Sequence, residues 1–285
     1  MLQPQKTLNL GGRLLSLDQP QVMGILNVTP DSFFDGGQYD SVTSALEQTG
    51  RMLQEGASII DIGGMSSRPG AGVITAQEEQ DRVLPVIEAI RHAYPHTHVS
   101  IDTVHAATAR AAVAAGAGMI NDISAGKIDP AMYETVAQLG VPYCLMHMQG
   151  RPETMQERPA YDDVVQEVLD FFIAETEKLR ALGIKDIILD PGFGFGKSLD
   201  HNYQLLKKMH VFRMLDMPVM AGISRKSMIN KVLGTRPETA LNGTTALHMV
   251  ALQQGAALLR VHDVREAVQV VKLWQQLEQT VRAGE

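Results

Sequence analysis

The sequence has little cysteine, few aromatic residues and no excess of positive charge. Its single cysteine, Cys144, excludes an internal disulfide and a cysteine-rich metal centre. Because this residue stands in the apolar run VPYCLMH, we interpret it as a buried, unreactive thiol rather than a nucleophile. Lysine and arginine number 25 against 32 aspartate and glutamate residues, which gives a net charge of −7. This balance argues against broad nucleic-acid binding but allows a local basic pocket for a small anion.

Long apolar runs and targeting patterns are also missing. No apolar stretch approaches the roughly 18 residues that a membrane-spanning helix needs. The first residues lack the basic and then apolar segments of a signal peptide. From these patterns we expect a cytoplasmic protein that has neither a membrane nor a nucleic acid as its partner. With 45% hydrophobic residues in a chain of 285, a large buried core is expected.

Eight short apolar runs recur along the chain and lead into polar or glycine-rich segments. Because they are continuously apolar rather than alternating, they are typical of strands buried on both faces, as in a parallel sheet. The runs are VMGILN (22–27), SIIDIGG (58–64), HVSID (98–102), GMINDI (118–123), PYCLMH (142–147), DIILDPGFG (186–194), VMAGIS (219–224) and LLRVHD (258–263).

Segments with a helical spacing of apolar residues separate these runs, so the chain alternates strand and helix. Eight such units predict an α/β fold, a closed (β/α)8 TIM barrel that takes up residues 1–285 as one domain. The first 20 residues, with their Gly-Gly pair, predict an N-terminal β-hairpin that caps the bottom of the barrel. A doubly wound open sheet is the alternative. Its G-x-G-x-x-G turn is missing after the first strand, and PGFGFGKS lacks the spacing of a phosphate loop.

Polar residues stand at almost every predicted strand end, and in a barrel these ends share the rim where active sites lie. We therefore expect one polar pocket. Aspartate and asparagine are also good helix caps, which is the interpretation we favour for Asp122. The residues at the strand ends are Asn27, Asp61, Asp102, Asn121, Asp122, His147, Asp190, Lys226, Arg260 and His262.

The expected pocket carries both signs of charge. Its carboxylates suit the paired N–H groups of a flat nitrogen heterocycle, and its cations suit a phosphate-like group. The acceptors are Asp61, Asp102 and Asp190, and the donors are Lys226, Arg260 and Arg68. His147 and His262 are too far apart in sequence to form a helical pair of zinc ligands. Asn27, in contrast, is compatible with a Mg²⁺ that bridges phosphate oxygens.

Eight motifs in a fixed order carry a family resemblance across positions 22–264. They are MGILNVTPDSFFDGG, DIGGMSSRPGA, VSIDT, INDIS, MHMQGRPETMQ, ILDPGFGFGKS, GISRKSM and RVHDV. In these motifs the chain resembles the dihydropteroate synthase family. The resemblance implies a (β/α)8 barrel transferase of folate synthesis. Its substrates are 6-hydroxymethyl-7,8-dihydropterin pyrophosphate and p-aminobenzoate, and its products are 7,8-dihydropteroate and pyrophosphate. It also implies Mg²⁺ as cofactor, a homodimer and a place among sulfonamide targets.

The resemblance further implies a role for each matching residue. It assigns Asp102, Asn121, Asp190 and Lys226 to the pterin; Asn27, Ser67, Arg68, Arg260 and His262 to the pyrophosphate, with Asn27 on the metal; and Phe33, Arg68, Pro69, Phe195, Lys226 and Ser227 to p-aminobenzoate. Catalysis is expected of Asp102, Lys226, Arg260 and Asn27. Met65 and Ser67 depart from the commonest form of the second motif. Ser67 keeps a hydroxyl but lacks a methyl group, which bears on the packing of the aromatic ring.

The implied chemistry is an SN1-like substitution, because an aromatic amine is a weak nucleophile and pyrophosphate leaves well once its charge is neutralised. Two loops, at 29–37 and 63–72, are expected to close over the site and exclude water. In that closed state Phe33 and Pro69 would cover the aromatic ring, and Asp35 would pair with Arg68.

Two other functions are compatible with a pterin-binding barrel. A methyltransferase that passes a folate methyl group to a corrinoid protein would share the pterin residues, but it would not need the anion site of SRKS and RVH. A paralogue that binds pterin without catalysis is compatible with changes such as Ser67. Release of pyrophosphate from the two substrates distinguishes all three. The terminal helix, whose apolar residues include Leu273 and Trp274, is a candidate dimer face.

Overall fold

Eight parallel strands close into a barrel in the computed structural model of this chain, which describes residues 5–29, 38–65, 74–150, 155 and 159–282. The strands follow one another around the barrel in chain order. The last, β10 (Ala256–Val261), pairs with the first, β3 (Gln21–Asn27). An antiparallel hairpin of β1 (Thr7–Leu10) and β2 (Arg13–Ser16) precedes them. The predicted (β/α)8 barrel with its N-terminal hairpin is confirmed.

The remaining described elements alternate as the sequence predicts. The other barrel strands are β4 (Ile59–Gly63), β5 (His98–Asp102), β6 (Met119–Asp122), β7 (Tyr143–Met146), β8 (Ile187–Asp190) and β9 (Val219–Ala221). The helices are α1 (Gln38–Glu55), α2 (Ala76–Ala93), α3 (Ala106–Ala114), α4 (Met132–Leu139), α5 (Val164–Ala181), α6 (Leu199–Lys207), α7 (Ser227–Leu233), α8 (Leu241–Gln253) and α9 (Val264–Arg282), with 3₁₀ helices over Met209–Leu215 and Pro237–Thr239. Within the described residues, no helix combines the length and the apolarity that crossing a bilayer requires.

The barrel strands are apolar on both faces because each face is buried against something different. Outward-facing side chains such as Leu26, Ile62 and Ile101 join one large cluster with helix residues such as Val83 and Ile87. Inward-facing side chains form a second, smaller cluster at the bottom of the barrel. Two buried faces explain why the strands read as continuous apolar runs rather than as an alternating pattern.

The hairpin closes the bottom of the barrel with two leucines. Leu8 is fully buried and Leu10 is 2% exposed, and both pack against the inward side chains of the barrel strands. That inner cluster also contains Met23, Ile59, Met119, Cys144, Ile188, Met220 and Leu258. The fit is tight, because a Cβ added to Gly118 would lie 2.9 Å from the backbone carbon of Leu10. Cys144 is buried in this floor, as its sequence context predicts.

We predict that Leu8→Ala lowers the free energy of unfolding by about 2–5 kcal/mol, because it empties part of a closely packed floor. Leu14→Ala is the matched control, since Leu14 lies on the same hairpin but is 70% exposed. This control should change stability by no more than about 0.5 kcal/mol. Urea unfolding followed by circular dichroism measures both. Equal effects of the two substitutions would contradict the role of the hairpin as a floor.

Candidate active site

A layer of polar side chains lies inside the barrel, one step above its apolar floor. Side chains on a strand alternate between its two faces, so the residues two positions beyond the floor also point inward. Beyond Ile59, Met119, Ile188 and Leu258 these residues are Asp61, Asn121, Asp190 and Arg260. The polar layer therefore stands towards the carboxyl ends of the strands, where barrel active sites form.

Arg260 bridges two of the carboxylates in this layer. Its Nε donates to Asp61 Oδ2 at 2.6 Å and its Nη2 donates to Asp102 Oδ2 at 2.6 Å. The Asp61 oxygen also accepts from Asn121 Nδ2 at 3.0 Å. Asp61 is fully buried, and the side chains of Arg260 and Asp102 are only 18% and 14% exposed. Such a buried cation between two anions fixes the side chains on three strands relative to one another.

Burial and neighbouring charges shift the pKa values of Asp102 and Arg260. Burial raises the pKa of Asp102 to about 7, although the charge of Arg260 opposes the shift. Burial alone would lower the pKa of Arg260, but Asp61 and Asp102 raise it above its usual value, so this residue stays protonated. Asp102 is thus a carboxylate that titrates near neutral pH in the mouth of the barrel.

Asp190 is the carboxylate of the layer that faces an opening. Its Oδ1 accepts from the amide of Gly192 at 2.7 Å, and it is 5% exposed. Its Oδ2 faces Gly222, where an added Cβ would lie 3.6 Å away, and no described residue donates to it. Burial raises the pKa of Asp190, while the Gly192 amide and the charges of Lys226 and Arg260 lower it. A flat ligand edge with N–H donors fits beside this oxygen.

Lys226 lies over an aromatic ring next to Asp190. Its Nζ is 4.0 Å from the centroid of the Phe195 ring and donates to the carbonyl of Phe193. Gly194 has a φ of +80°, and a Cβ there would lie 3.0 Å from Lys226 Cδ. Burial lowers the pKa of Lys226 to about 8, and the charge of Asp190 opposes this. Ser227 follows Lys226 as the exposed first residue of α7.

Two further predicted residues lie at the lip of the barrel. Asn27 is exposed at the end of β3, and its Oδ1 lies 3.8 Å from the position of a Cβ added to Gly63. His262 contacts Ser224 through its Nδ1, 3.0 Å from Ser224 Oγ. Burial and the charge of Arg260 lower the pKa of His262 to about 4, so the imidazole is neutral at physiological pH. A neutral imidazole can offer an anion a hydrogen bond but no charge.

The structure brings the described site residues together and leaves other predictions untested. Phe33, Asp35, Ser67, Arg68 and Pro69 lie outside the described residues, so the pairing of Asp35 with Arg68 and the covering of the aromatic ring stay predictions.

Two expectations from the sequence are wrong in detail. Asp61 does not face the ligand opening, because it is fully buried and its Oδ2 accepts from Arg260 and Asn121. Asp122 caps no helix, because α4 begins only at Met132. Its oxygens accept instead from Ser124, from the Gly126 amide and from the Tyr143 hydroxyl. The sequence gives the residue types at a strand end, but their partners depend on which strands are neighbours.

Sequence reasoning also missed Lys197, a buried lysine within hydrogen-bond distance of His147. The sequence carries no clear signal for this burial, because most of the groups that bind Lys197 are backbone carbonyls, which no residue type marks.

Comparisons with known proteins agree with this geometry. Residues 23–262 match the family described as pterin binding enzyme. The chain belongs to the pterin-binding enzyme family. It is 45% identical to the dihydropteroate synthase of Escherichia coli strain K12 over 276 residues, which is 96% of both chains. The resemblance inferred from the eight motifs is thus confirmed, and with it the dihydropteroate synthase function.

Solved structures of the family share the whole fold. A sulfonamide complex of the Yersinia pestis dihydropteroate synthase has a TM-score of 0.90 and 45% identity, and the match covers 96% of this chain and 99% of that one. The Xanthomonas albilineans dihydropteroate synthase with 4-aminobenzoic acid has a TM-score of 0.89 and 45% identity, and the match covers 96% and 98%. At this coverage the barrel, its hairpin and the order of all eight strands belong to one common architecture.

We predict that Arg260→Met lowers the free energy of unfolding by about 3–5 kcal/mol, because it leaves Asp61 and Asp102 buried without their cation. Arg265→Met is the matched control. Arg265 pairs with Glu55 at 3.0 Å, but its side chain is 65% exposed. That change should cost less than about 1 kcal/mol. Denaturant unfolding at pH 8 measures both variants, and a loss of stability at Arg260 no larger than that of the control would show that the bridge is unimportant.

Proposed function

We propose that this chain condenses 6-hydroxymethyl-7,8-dihydropterin pyrophosphate with p-aminobenzoate, giving 7,8-dihydropteroate and pyrophosphate in folate biosynthesis. The observation that carries the proposal is the convergence of Asp190, Lys226 and Arg260 on one opening, where Asp190 is close enough for both cations to affect its pKa. An acceptor edge beside two cations matches a fused heterocycle with an anionic tail. The Xanthomonas relative described with 4-aminobenzoic acid supports the second substrate.

The pterin edge is assigned to Asp190 and Asn121. Asp190 Oδ2 faces the gap that Gly222 leaves, and a carboxylate there can accept two N–H groups of an amino-pyrimidinone ring. Asn121 is 2% exposed, and its amide nitrogen is held by Asp61, which directs the amide oxygen away from that carboxylate. Asp102 and Lys226 flank the same opening and complete the proposed pterin site.

The pyrophosphate is assigned to the lip of the barrel, at Asn27, Arg260 and His262, together with Ser67 and Arg68. Among the described residues, Arg260 uses its Nε and Nη2 for Asp61 and Asp102, so the proposal gives its Nη1 to the phosphate. A guanidinium anchored by two carboxylates keeps its orientation while it binds an anion, which lowers the cost of ordering it on binding.

Mg²⁺ is proposed as the cofactor, held largely by the pyrophosphate itself. Asn27 suits it, since an amide oxygen is a hard ligand and its Oδ1 is at the exposed lip. Among the described residues no cluster of three histidine, cysteine or acidic side chains is arranged to hold a metal. This fits an ion that keeps water and substrate oxygens as most of its ligands. When bound, it would supply positive charge for the leaving group.

The p-aminobenzoate site is assigned to Phe195, Lys226 and Ser227, with Phe33, Arg68 and Pro69 from the two loops. Phe195 is 7% exposed in an apolar cluster with Val104, Ile123 and Met148 near the mouth. Lys226, above the ring of Phe195, supplies positive charge at the edge of this cluster. An aromatic acid combines an apolar ring with a carboxylate, and it therefore matches such a surface.

The proposed reaction is SN1-like. The bond between the pterin methylene carbon and the pyrophosphate oxygen breaks first, and its electrons leave with the pyrophosphate. Asp102, when ionised, stabilises the resulting cation, whose charge is shared with the pterin ring. The amine lone pair then forms the new carbon–nitrogen bond, and the surplus proton leaves to water. The protein supplies position and charge, with no covalent nucleophile, and closed loops over the site, with Asp35 paired to Arg68, would exclude competing water.

We also infer the domain organisation and the oligomeric state of the enzyme. Residues 1–285 are proposed to act as one domain, because the hairpin supplies the floor of the barrel that carries the site. A homodimer is proposed, and exposed apolar side chains on α9 support it, since Leu273 is 62% and Leu277 is 53% exposed. The cytoplasmic location stays a prediction from the sequence.

Release of pyrophosphate tests the proposed function. Purified protein with dihydropterin pyrophosphate, p-aminobenzoate and Mg²⁺ should release pyrophosphate and form dihydropteroate in equal amounts, measured by a coupled phosphate assay and by chromatography. Omission of p-aminobenzoate is the control and should reduce release to the rate of hydrolysis. Pterin binding without release in the complete mixture would favour a non-catalytic paralogue. Methyl transfer to a corrinoid would favour the methyltransferase.

We predict an acid limb in the pH dependence of kcat/KM, with a midpoint near pH 7. The pKa of Asp102 is raised to about 7, so the carboxylate that stabilises the cation is lost as the pH falls below that value. The rate should then fall about tenfold per pH unit. Asp102→Asn should lower kcat/KM and remove this limb. The wild-type and Asp102→Asn enzymes use the same substrates, so ionisation of the substrates affects both pH profiles equally. A difference between the two profiles therefore reports ionisation of the Asp102 side chain. The same limb in both would contradict the assignment.

A further inference from the structure

Lys197 is a buried lysine that the proposed reaction does not use. It is 3% exposed and ends the glycine loop, which we define as residues 191–197. Its Nζ lies 3.0 Å from the carbonyl oxygens of Gly192 and Phe195, 3.3 Å from that of His147 and 3.0 Å from His147 Nδ1. It forms no salt bridge with any described residue.

A lysine in such a place costs stability, because an ammonium group loses its water on burial. Burial lowers the pKa of Lys197 to about 7, although the charge of Asp190 opposes the shift. His147 offers a lone pair rather than a second charge, since burial and the nearby Lys197 lower its pKa to about 2. Every hydrogen-bond partner of the Lys197 ammonium among the described residues is therefore an acceptor.

The glycine loop carries three groups of the candidate site. The Gly192 amide donates to Asp190, the Phe193 carbonyl accepts from Lys226, and the Phe195 ring lies under the Lys226 ammonium. The contact of the Gly192 amide is also fixed by the barrel, because its acceptor, Asp190, lies in β8. The carbonyl of Asp190 accepts from the His147 amide at 3.0 Å. The other two are on the loop itself.

Several contacts hold the glycine loop: Phe193 and Phe195 are buried in apolar clusters, and polar groups bind its backbone at both ends. Gly192 and Gly196 adopt left-handed φ values of +69° and +61°, so the chain turns sharply there. Tyr161 donates to the carbonyl of Gly196 at 2.8 Å, at the second of these turns, and Asn202 Oδ1 accepts from the Gly194 amide at 2.7 Å. Lys197 is bound to the turn itself, since it contacts the carbonyls at both of its ends, on Gly192 and Phe195, and ties them to the end of β7.

We propose that Lys197 is a positioning residue for the aromatic-amine site: it holds the glycine loop against β7, so that Phe195 and Lys226 keep the geometry that receives p-aminobenzoate. The inference rests on the proposed function of that site. It predicts a selective effect. Loss of the ammonium should weaken use of p-aminobenzoate more than binding of the pterin. Phe195 serves only the aromatic-amine site, whereas Lys226 borders both sites and Asp190 is also held by the strand β8.

The test compares Lys197→Met with Lys207→Met, an exposed lysine on the neighbouring α6. The KM for p-aminobenzoate comes from pyrophosphate release, and the Kd for dihydropterin pyrophosphate comes from calorimetry. Lys197→Met should raise this KM at least tenfold and change this Kd less than threefold, while Lys207→Met should change neither. Equal changes of KM and Kd would indicate a merely structural lysine and overturn the proposal, as would an unchanged KM.

Tyr161→Phe keeps the proposal falsifiable if Lys197→Met does not fold. It removes only the hydroxyl that binds the Gly196 carbonyl, so the same loop is loosened by a smaller change. We expect a severalfold higher KM for p-aminobenzoate and an unchanged pterin Kd, and an unchanged KM would overturn the proposal. If the wild-type enzyme releases pyrophosphate but the variants change the KM for p-aminobenzoate and the pterin Kd equally, the inference about Lys197 is refuted and the proposed function stands. A wild-type enzyme without turnover refutes the proposed function and the inference with it.

Discussion

The bridge from Arg260 to Asp61 and Asp102 is the interaction on which the site depends. It lies inside the barrel, above an apolar floor, where an unpaired charge would be costly. It occupies Asp61 and one oxygen of Asp102, whereas Asp190 has no hydrogen bond to the guanidinium among the described residues and turns its Oδ2 towards the opening. One buried cation therefore allows three aspartates to share the interior of a barrel, with different partners and different roles.

Glycines give this polar layer its openings. A side chain at Gly222 would stand 3.6 Å from Asp190, and one at Gly194 would stand 3.0 Å from the Lys226 stem. The same residues let the backbone approach closely, so that carbonyl groups of the glycine loop accept from both Lys226 and Lys197. Aromatic surface and carbonyl acceptors thus come from one short segment between β8 and α6, and Gly222 and Lys226, which follow β9, add free space and charge beside it.

Much of this structure could be predicted from the sequence, and the remainder has identifiable physical causes. The eight strands were predictable because burial on both faces makes them continuously apolar, and the strand-end residues were predictable because a barrel collects those ends on one rim. The partner of Asp61 was not predictable, because Arg260 is distant in sequence and only closure of the barrel brings the two residues together. Short helices such as α7 have too few turns for a periodic pattern, and Lys197 was missed because its acceptors are mainly backbone carbonyls.

Asp190 is the proposed pterin-binding carboxylate of the polar layer that Arg260 orders. Calorimetric titration of the Asp190→Asn variant with dihydropterin pyrophosphate tests this assignment most directly, with Asp170→Asn on the exposed face of α5 as the matched control. Loss of two charge-assisted hydrogen bonds predicts an affinity lower by on the order of 100-fold for Asp190→Asn and an unchanged affinity for the control. Unchanged affinity in a folded Asp190→Asn variant would contradict the account.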